Sequence, residues 1–351
     1  MSSPQKLSTR QLGKDGPQVP RLGFGTMGLS VGYGPVPSEQ EQLKVLDRAW
    51  ELGATFWDTA HNYGDSEVLI GKWFRQHPER RKDIFLATKF GLSSNLQAVG
   101  AGGRITWRLD STPEECRRSC EESLEKLGTE YIDLFYIHRF DKKTPVEKTM
   151  EGFVELKNEG KIRHMGFSEC SSTTLRRGHA VHPIAAVQIE YNPWTLDIET
   201  DAGTNLLATC RELGVAVVPY SPLGRGFMTG RYKSVDDFEP TDLRRHLPRF
   251  QPANFARNLE LVRIFEDLAA EKKDCTPAQV VLAWILARGD DFFPIPGTKN
   301  VAYLEQNLGA LGVEITARDD EIVRAKIAEM GGAVGDRSLS MADTFVDTPP
   351  L

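Results

Sequence analysis

The chain has 351 residues, of which 40% are hydrophobic and 26% charged, and its formal net charge is −6. This is the balance of a globular protein; the acidic surplus leaves no basic footprint for nucleic acid and no polybasic face for anionic lipid. No window reaches the apolar length of a bilayer span, and the opening MSSPQKLSTRQLGKDG lacks both the apolar core of a signal peptide and the Arg-rich pattern of a transit peptide, so a cytoplasmic protein without membrane or nucleic-acid partners is expected.

In chain order, LSTRQLGKDGPQVPRLG predicts a hairpin turning at Lys14-Asp15-Gly16, placed to plug one end of the fold. Eight strand-like runs follow: RLGFG, ATFWD, IFLATK, IDLFYIH, HMGFS, AAVQIEY, VAVVPYS and DFFPIPG. Most lead through a turn into an amphipathic pattern, as in SEQEQLKVLDRAWELG after the first. STPEE opens one helix with a cap, a first-turn Pro and acids, and KLG closes it with Gly; TPAQVVLAWILARG repeats the grammar. Alternation at this spacing implies a parallel sheet with helices outside, and eight strands fit a closed (β/α)8 TIM barrel better than an open sheet.

GLSSNLQAVGAGGRITWRLD reads as a surface loop and no Gly/Ser/Pro-rich linker divides the chain, so a single barrel domain over residues 1–351 is expected. Its hairpin covers 1–20. Its tail, 331–351, has little periodicity and either folds over the barrel mouth or stays mobile. The five cysteines are scattered, which fits reduced thiols. Cys116 and Cys120 share one helix face at a spacing that suits a metal or redox pair poorly. The sequence does not fix the oligomeric state.

GFGTMG, Gly23 to Gly28, matches the G-x-G-x-x-G dinucleotide fingerprint. A Rossmann loop must open directly into a helix whose first amides take the pyrophosphate. Here LSVGYGPVPS follows, too rich in Pro and Gly for a helix, and helical periodicity begins only near Ser38. The motif is therefore read as a strand and rim loop.

The C-terminal ends of barrel strands face the active site. They supply Asp58, Lys89 and His138 from the second, third and fourth runs, with Tyr63 in the loop after the second. Singly these are a helix cap, a surface charge, a core histidine and a loop aromatic; at successive rims they form a constellation. A tyrosine titrates near pH ~10, and a Lys89 ammonium would lower that value while Asp58 holds the ammonium in place. Tyr63 then donates a proton to a carbonyl oxygen that His138 orients, which is apparatus for reduction by a hydride cofactor.

Together with LGFGTMGL, FWDTAHNYGDSE, LATKFG, YIDLFYIHR, GKIRHMGFSE, VQIEYNPW, YSPLGRGFMTG and PIPGTKNVAYLEQN, this constellation resembles the aldo-keto reductase family from about Arg21 beyond Asn307. The resemblance, nearest to the plant and fungal branch with pyridoxal reductase-like members, implies an NADPH-dependent reductase of aldehydes, ketones or pyridoxal, with Asp58, Tyr63, Lys89 and His138 as a tetrad and Tyr63 as general acid. His61 matches no tetrad position. It further implies that Gly25, Thr26, Met27 and Asp58 border the cofactor, Ser168 and Gln188 bind its carboxamide, and Tyr220 stacks on the nicotinamide. Ser221, Leu223, Gly226 and Arg231 would wrap the pyrophosphate; Gly297, Thr298, Lys299, Gln306 and Asn307 would hold the adenosine end, with Lys299 on the 2′-phosphate. The chain departs from the common pattern at Glu169, where many members carry Asn although the plant and fungal branch also carries Glu, and at Asn300 and Tyr303, near which members with strong NADPH preference often have Arg.

Three rival readings remain. A Schiff-base aldolase needs a neutral lysine, whereas Asp58 favours a charged Lys89. A metal-dependent hydrolase needs more rim ligands than His138 and Asp58, and no metal is expected. A redox-sensing protein that binds NADPH and docks a partner is the third, with the tetrad arguing against pure sensing. Trp57, Trp107, Trp194, Tyr33 and Phe227 line an apolar substrate pocket or belong to the core.

Overall fold

The computed structural model describes residues 4–94, 106–338 and 341–351. Seven parallel strands follow one another around a barrel in chain order: β1 (Phe24–Gly25), β2 (Phe56–Asp58), β3 (Phe85–Phe90), β4 (Ile132–Ile137), β5 (Ile162–Ser168), β6 (Ala186–Glu190) and β7 (Ala216–Tyr220). Helices return the chain after each of the first six: α1 (Glu39–Glu51), α2 (Ser66–Gln76), α3 (Pro113–Leu127), α4 (Val146–Asn158), α5 (Ser172–Val181) and α6 (Leu206–Leu213). After β7 come α7 (Pro252–Lys272) and α8 (Pro277–Leu286), and after the eighth run α9 (Val301–Gly309) and α10 (Ala317–Met330).

The helix grammar is realised. Ser38 and Glu41 form a capping box on α1; Thr112 caps α3, whose end is Gly128 in the left-handed region; Thr276 and Gln279 box α8. GFGTMG leads into a single turn, Met27–Ser30, and the first long helix waits until Glu39, as expected of a rim loop. Cys116 and Cys120 lie on the buried face of α3, and all five cysteines are free thiols. No helix among the described residues is long and apolar enough to cross a membrane.

The expected eighth strand, DFFPIPG, closes the barrel without becoming a regular strand. Phe293 and Ile295 donate to Val217 and Pro219 of β7, while Pro294 and Pro296 accept from Gly23 and Gly25 on the β1 side. Two prolines have no N–H for β1, so the ladder there is half made and only bridges such as Gly25–Gly297 remain. A Cβ on Gly297 would lie 2.9 Å from the Gly25 carbonyl oxygen, so the approach that closes the barrel needs a glycine.

Residues two apart along each strand face the interior. Phe56, Ala87, Leu134, Tyr136, Ala186, Ala216, Val218, Phe293 and Ile295 form this inner core, and Leu12 and Val19 of the N-terminal hairpin fill its lower end. That hairpin pairs Thr9–Gln11 with Gln18–Pro20. The outward residues, Trp57, Phe90, Phe135, Val187 and Val217 among them, pack against the helices. Gly166 of β5 makes room for the Tyr136 ring, which a Cβ would approach to 2.3 Å.

One region differs from expectation, and in the tail, for which two alternatives stood open, the described residues are held against the barrel. The surface loop over 91–110 contains a hairpin, Leu92–Ser94 against Trp107–Leu109, whose strands are too short to show a period; residues 95–105 lie outside the described set. The tail is docked. Val346 bridges to Cys170, its N–H donates to Glu169 O (2.9 Å) and its carbonyl accepts from Ser171 N (3.1 Å). Arg177 donates to the Thr348 and Pro349 carbonyls at 2.8 and 2.7 Å. These contacts join residues far apart in sequence, so no local pattern announces them.

Candidate active site

The alternation that fills the inner core brings the next inward residues to the mouth: Asp58 above Phe56, Lys89 above Ala87, His138 above Tyr136, Gln188 above Ala186 and Tyr220 above Val218. Asp58, Lys89, His138, Ser168 and Gln188 are all buried. Lys89 Nζ donates to Asp58 Oδ1 at 2.5 Å and to Thr59 O at 2.6 Å, and Gln188 Nε2 donates to Asp58 Oδ2 at 2.7 Å. Burial opposes both charges, raising the Asp58 carboxyl and lowering the Lys89 ammonium, and each partner pulls the other back.

Tyr63 arrives through two tight turns, Tyr63 N donating to Ala60 O and Ser66 N to Tyr63 O. Its half-buried ring has Lys89 Nζ 4.9 Å from its centroid and meets the His138 ring edge-to-face at 5.6 Å. The two turns are locked by Ser66 Oγ, which lies 2.8 Å from Thr26 Oγ1 and 2.9 Å from Thr59 Oγ1. His61 points away and meets Glu122 at 2.8 Å.

The expected lowering of the Tyr63 phenol by Lys89 is not what the structure gives. Burial, then the Asp58 carboxylate, push it above the ordinary tyrosine range, while Arg139 and Arg225 pull it down. Burial opposes the phenolate most, and Asp58, at contact distance from Lys89, offsets the ammonium. Burial also holds the His138 imidazole well below its usual range, with Arg139 and Lys89 adding to the effect, so the ring is neutral.

Arg139 went unnoticed in the sequence although it follows His138 directly. Its Nη1 donates to His138 O at 2.7 Å and to Ser168 Oγ at 3.2 Å, and Nη2 lies 3.5 Å from the Tyr220 hydroxyl. Glu169, the departure after Ser168, has φ +54 and a fully buried carboxylate bound to Arg337 of the tail. No sequence signal marked Arg337, an isolated cation in a Gly-rich segment.

The other expected rim residues form a second group. Backbone after β7 is left-handed at Ser221, Gly224, Arg225 and Gly226, with φ +48, +55, +57 and +86. Arg225 donates to the Tyr33 hydroxyl at 3.1 Å, Leu243 N to Gly32 O at 3.1 Å, and Lys299 Nζ to Tyr33 O and Pro35 O at 2.6 Å each. The loop after β1 thus meets the segments after β7 and after the eighth run, and Lys299 ties down that loop. Arg231 is exposed and donates to the Tyr303 hydroxyl at 3.0 Å. Asn300 caps α9, on which Gln306 is half-buried and Asn307 buried. Thr26 spends its hydroxyl on Asp58 O and Ser66, beside Gly25 and Met27; Leu223 is half-buried, and Gly297 and Thr298 follow the barrel closure. Of the aromatic pocket candidates, Trp57 and Phe227 are fully buried core and Trp107 is exposed on its hairpin.

The Aldo/keto reductase family profile matches residues 21–328. Aldo-keto reductase str7 of Strobilurus tenacellus is 50% identical over 350 residues, 98% of this chain and 99% of its own. Aldo-keto reductase yakc [NADP(+)] of Schizosaccharomyces pombe is 45% identical over 349 residues, 98% of this chain and 99% of its own. The solved glycerol dehydrogenase AKR11B4 of Gluconobacter oxydans superposes with a TM-score of 0.79 at 27% identity, covering 95% of this chain and 99% of that one. Barrel, mouth constellation and similarity along nearly the whole length agree: the chain belongs to the aldo/keto reductase family.

Proposed function

We propose that this chain reduces aldehydes to alcohols with NADPH, Tyr63 delivering the proton. The observation that carries the reading is the buried Asp58–Lys89 pair beneath the Tyr63 ring, with neutral His138 against the same ring. The donor chemistry fits a dinucleotide phosphate. Arg225, Arg244 and Lys299 gather near the rim after β7 and the eighth run, Arg231 stands on its outer side, and left-handed backbone at Ser221, Gly224, Arg225 and Gly226 is the geometry of anion-binding nests. Lys299 favours NADPH over NADH, as does the NADP(+) in the name of the fission-yeast relative.

When bound, the cofactor supplies the hydride, and the chain supplies the rest. His138 is neutral, and its buried Nδ1 has no partner among the described residues; one ring nitrogen of the neutral imidazole donates to the substrate carbonyl oxygen. Tyr63 gives its phenolic proton to that oxygen as negative charge develops. The phenolate left behind is stabilised by Arg139 and Arg225, while Lys89, two of whose three N–H bonds are held by Asp58 and Thr59, lies 4.9 Å from the ring centroid. Ser168, Gln188 and Tyr220 frame the nicotinamide end. Gln188 commits one amide N–H to Asp58, which leaves its oxygen and its other N–H for the carboxamide.

The test is loss of NADPH absorbance with an aldehyde panel including pyridoxal, for wild type and Tyr63→Phe. Turnover by wild type and a loss of about 10²–10⁴-fold in the variant are expected. Tight NADPH binding without turnover by either protein overturns the reductase reading in favour of a redox-sensing partner protein.

A further inference from the structure

Glu169, Arg337 and Tyr220 form a closed triangle at the barrel mouth. Arg337 Nη1 donates to Glu169 Oε1 at 2.9 Å and Nη2 to Oε2 at 2.8 Å, a bidentate pair in which the residues are 3% and 0% exposed. The Tyr220 hydroxyl donates to Glu169 Oε1 at 2.8 Å and accepts from Arg337 Nη1 at 3.1 Å. Both hydrogen-bonding roles of the hydroxyl are therefore filled, and the ring has its far end fixed.

The triangle is built from the tail. Arg337 is the one buried residue of segment 331–338, which Asn258 of α7 pins by accepting from Val334 N at 2.8 Å and donating to Val334 O at 2.9 Å. Glu169 is held from the tail twice, through its carboxylate by Arg337 and through its carbonyl oxygen by Val346 N. Its φ of +54 is a conformation that a non-glycine residue keeps only where the surroundings over-determine it. A pair serving stability alone has no need to end on a strand-end aromatic, and hydrophobic replacements of buried ion pairs are commonly as stable.

We propose that Arg337 is a positioning residue for hydride transfer: through Glu169 it fixes the Tyr220 ring in the orientation on which the nicotinamide lies. This rests on the reading of Tyr220 as the stacking residue. Asn at position 169 would need no cation, so Glu169 and Arg337 form one device, in which a residue beyond the last helix sets the geometry of the cofactor site.

The experiment is a double-variant cycle on NADPH affinity, read by quenching of protein fluorescence, with kcat and both KM values for aldehyde reduction. Arg337→Met is expected to weaken NADPH at least tenfold while the aldehyde KM changes little. Tyr220→Phe, which keeps the ring and the ion pair but frees the hydroxyl end, is expected to do the same. The combination Arg337→Met/Tyr220→Phe should be no worse than either alone. Unchanged NADPH affinity in a folded Arg337→Met protein, or additive losses in the combination, overturns the proposal. Should Arg337→Met fail to fold, Glu169→Gln/Arg337→Met removes the stranded charge and enters the same cycle. Tyr220→Leu separates the two readings. If it leaves NADPH binding intact, the stacking assignment itself falls; if it weakens binding while Arg337→Met does not, only the role of Arg337 falls.

Discussion

Lys89 Nζ lies 2.5 Å from Asp58 Oδ1 and 4.9 Å from the Tyr63 ring centroid, so the ammonium is bound to an acid before it can act on the phenol. Removing one partner leaves a buried charge. Lys89→Met is expected to cost about 3–5 kcal/mol of stability, with most of it recovered in Asp58→Asn/Lys89→Met and activity absent from both. Urea midpoints and NADPH oxidation rates check the two halves separately; full recovery of turnover in the double variant would remove the pair from the mechanism.

Because burial and Asp58 raise the Tyr63 phenol, it stays protonated throughout the neutral range. Aldehyde reduction at saturating NADPH should therefore show no basic limb from Tyr63 below pH ~10. A wild-type limb near pH ~7.5 that disappears in Tyr63→Phe would mean a phenol lowered, not raised, by its surroundings.

His138 has a folded-state pKa below its ordinary 6.5, so the unfolded chain binds its proton more readily. Stability from this group is present above that value and falls as pH drops through it toward the folded value. Thermal midpoints of wild type should decline more steeply from pH ~7 to ~5 than those of His138→Gln. Equal slopes would place a charged imidazole in the site.

For Glu169, burial alone would raise the carboxyl, but Arg337 outweighs it and brings the value to about 2 from an ordinary 4.5. A depressed acid stabilises above its unfolded pKa and loses that contribution as pH falls through the folded one. That contribution is present at neutral pH and lost between the two values. The stability difference between wild type and Glu169→Gln should shrink over that acid window; a difference constant with pH would mean that the carboxyl titrates alike in the folded and unfolded chains.

The barrel and its mouth were legible because period two and rim position are local properties. ATFWD, IFLATK and IDLFYIH each carry their inward residue at a countable place, and Asp58, Lys89 and His138 meet there. Tyr63 was legible through its short distance from Asp58. What escaped depended on distance along the chain. Arg337 meets Glu169 across 168 residues and Val346 meets Cys170 across a similar gap, with no periodicity to mark either. Arg139 escaped for another reason: one residue past a strand end its side chain can turn to solvent or across the mouth, and only coordinates distinguish the two. The expected pull of Lys89 on Tyr63 fails because burial of the phenol outweighs it and Asp58 shares the ammonium at closer range, neither of which is local to the sequence.

The half-made ladder along the eighth run also bears on how the protein avoids self-association. An exposed strand edge recruits other chains through its unpaired N–H and C=O groups. If the barrel parts at this seam during synthesis or heating, the uncovered edge presents Pro294 and Pro296, which offer carbonyls but no donors, and the facing edge is β1, two residues long. Neither can template an intermolecular sheet, so the prolines that weaken the closure also make an opened barrel a poor seed for aggregation.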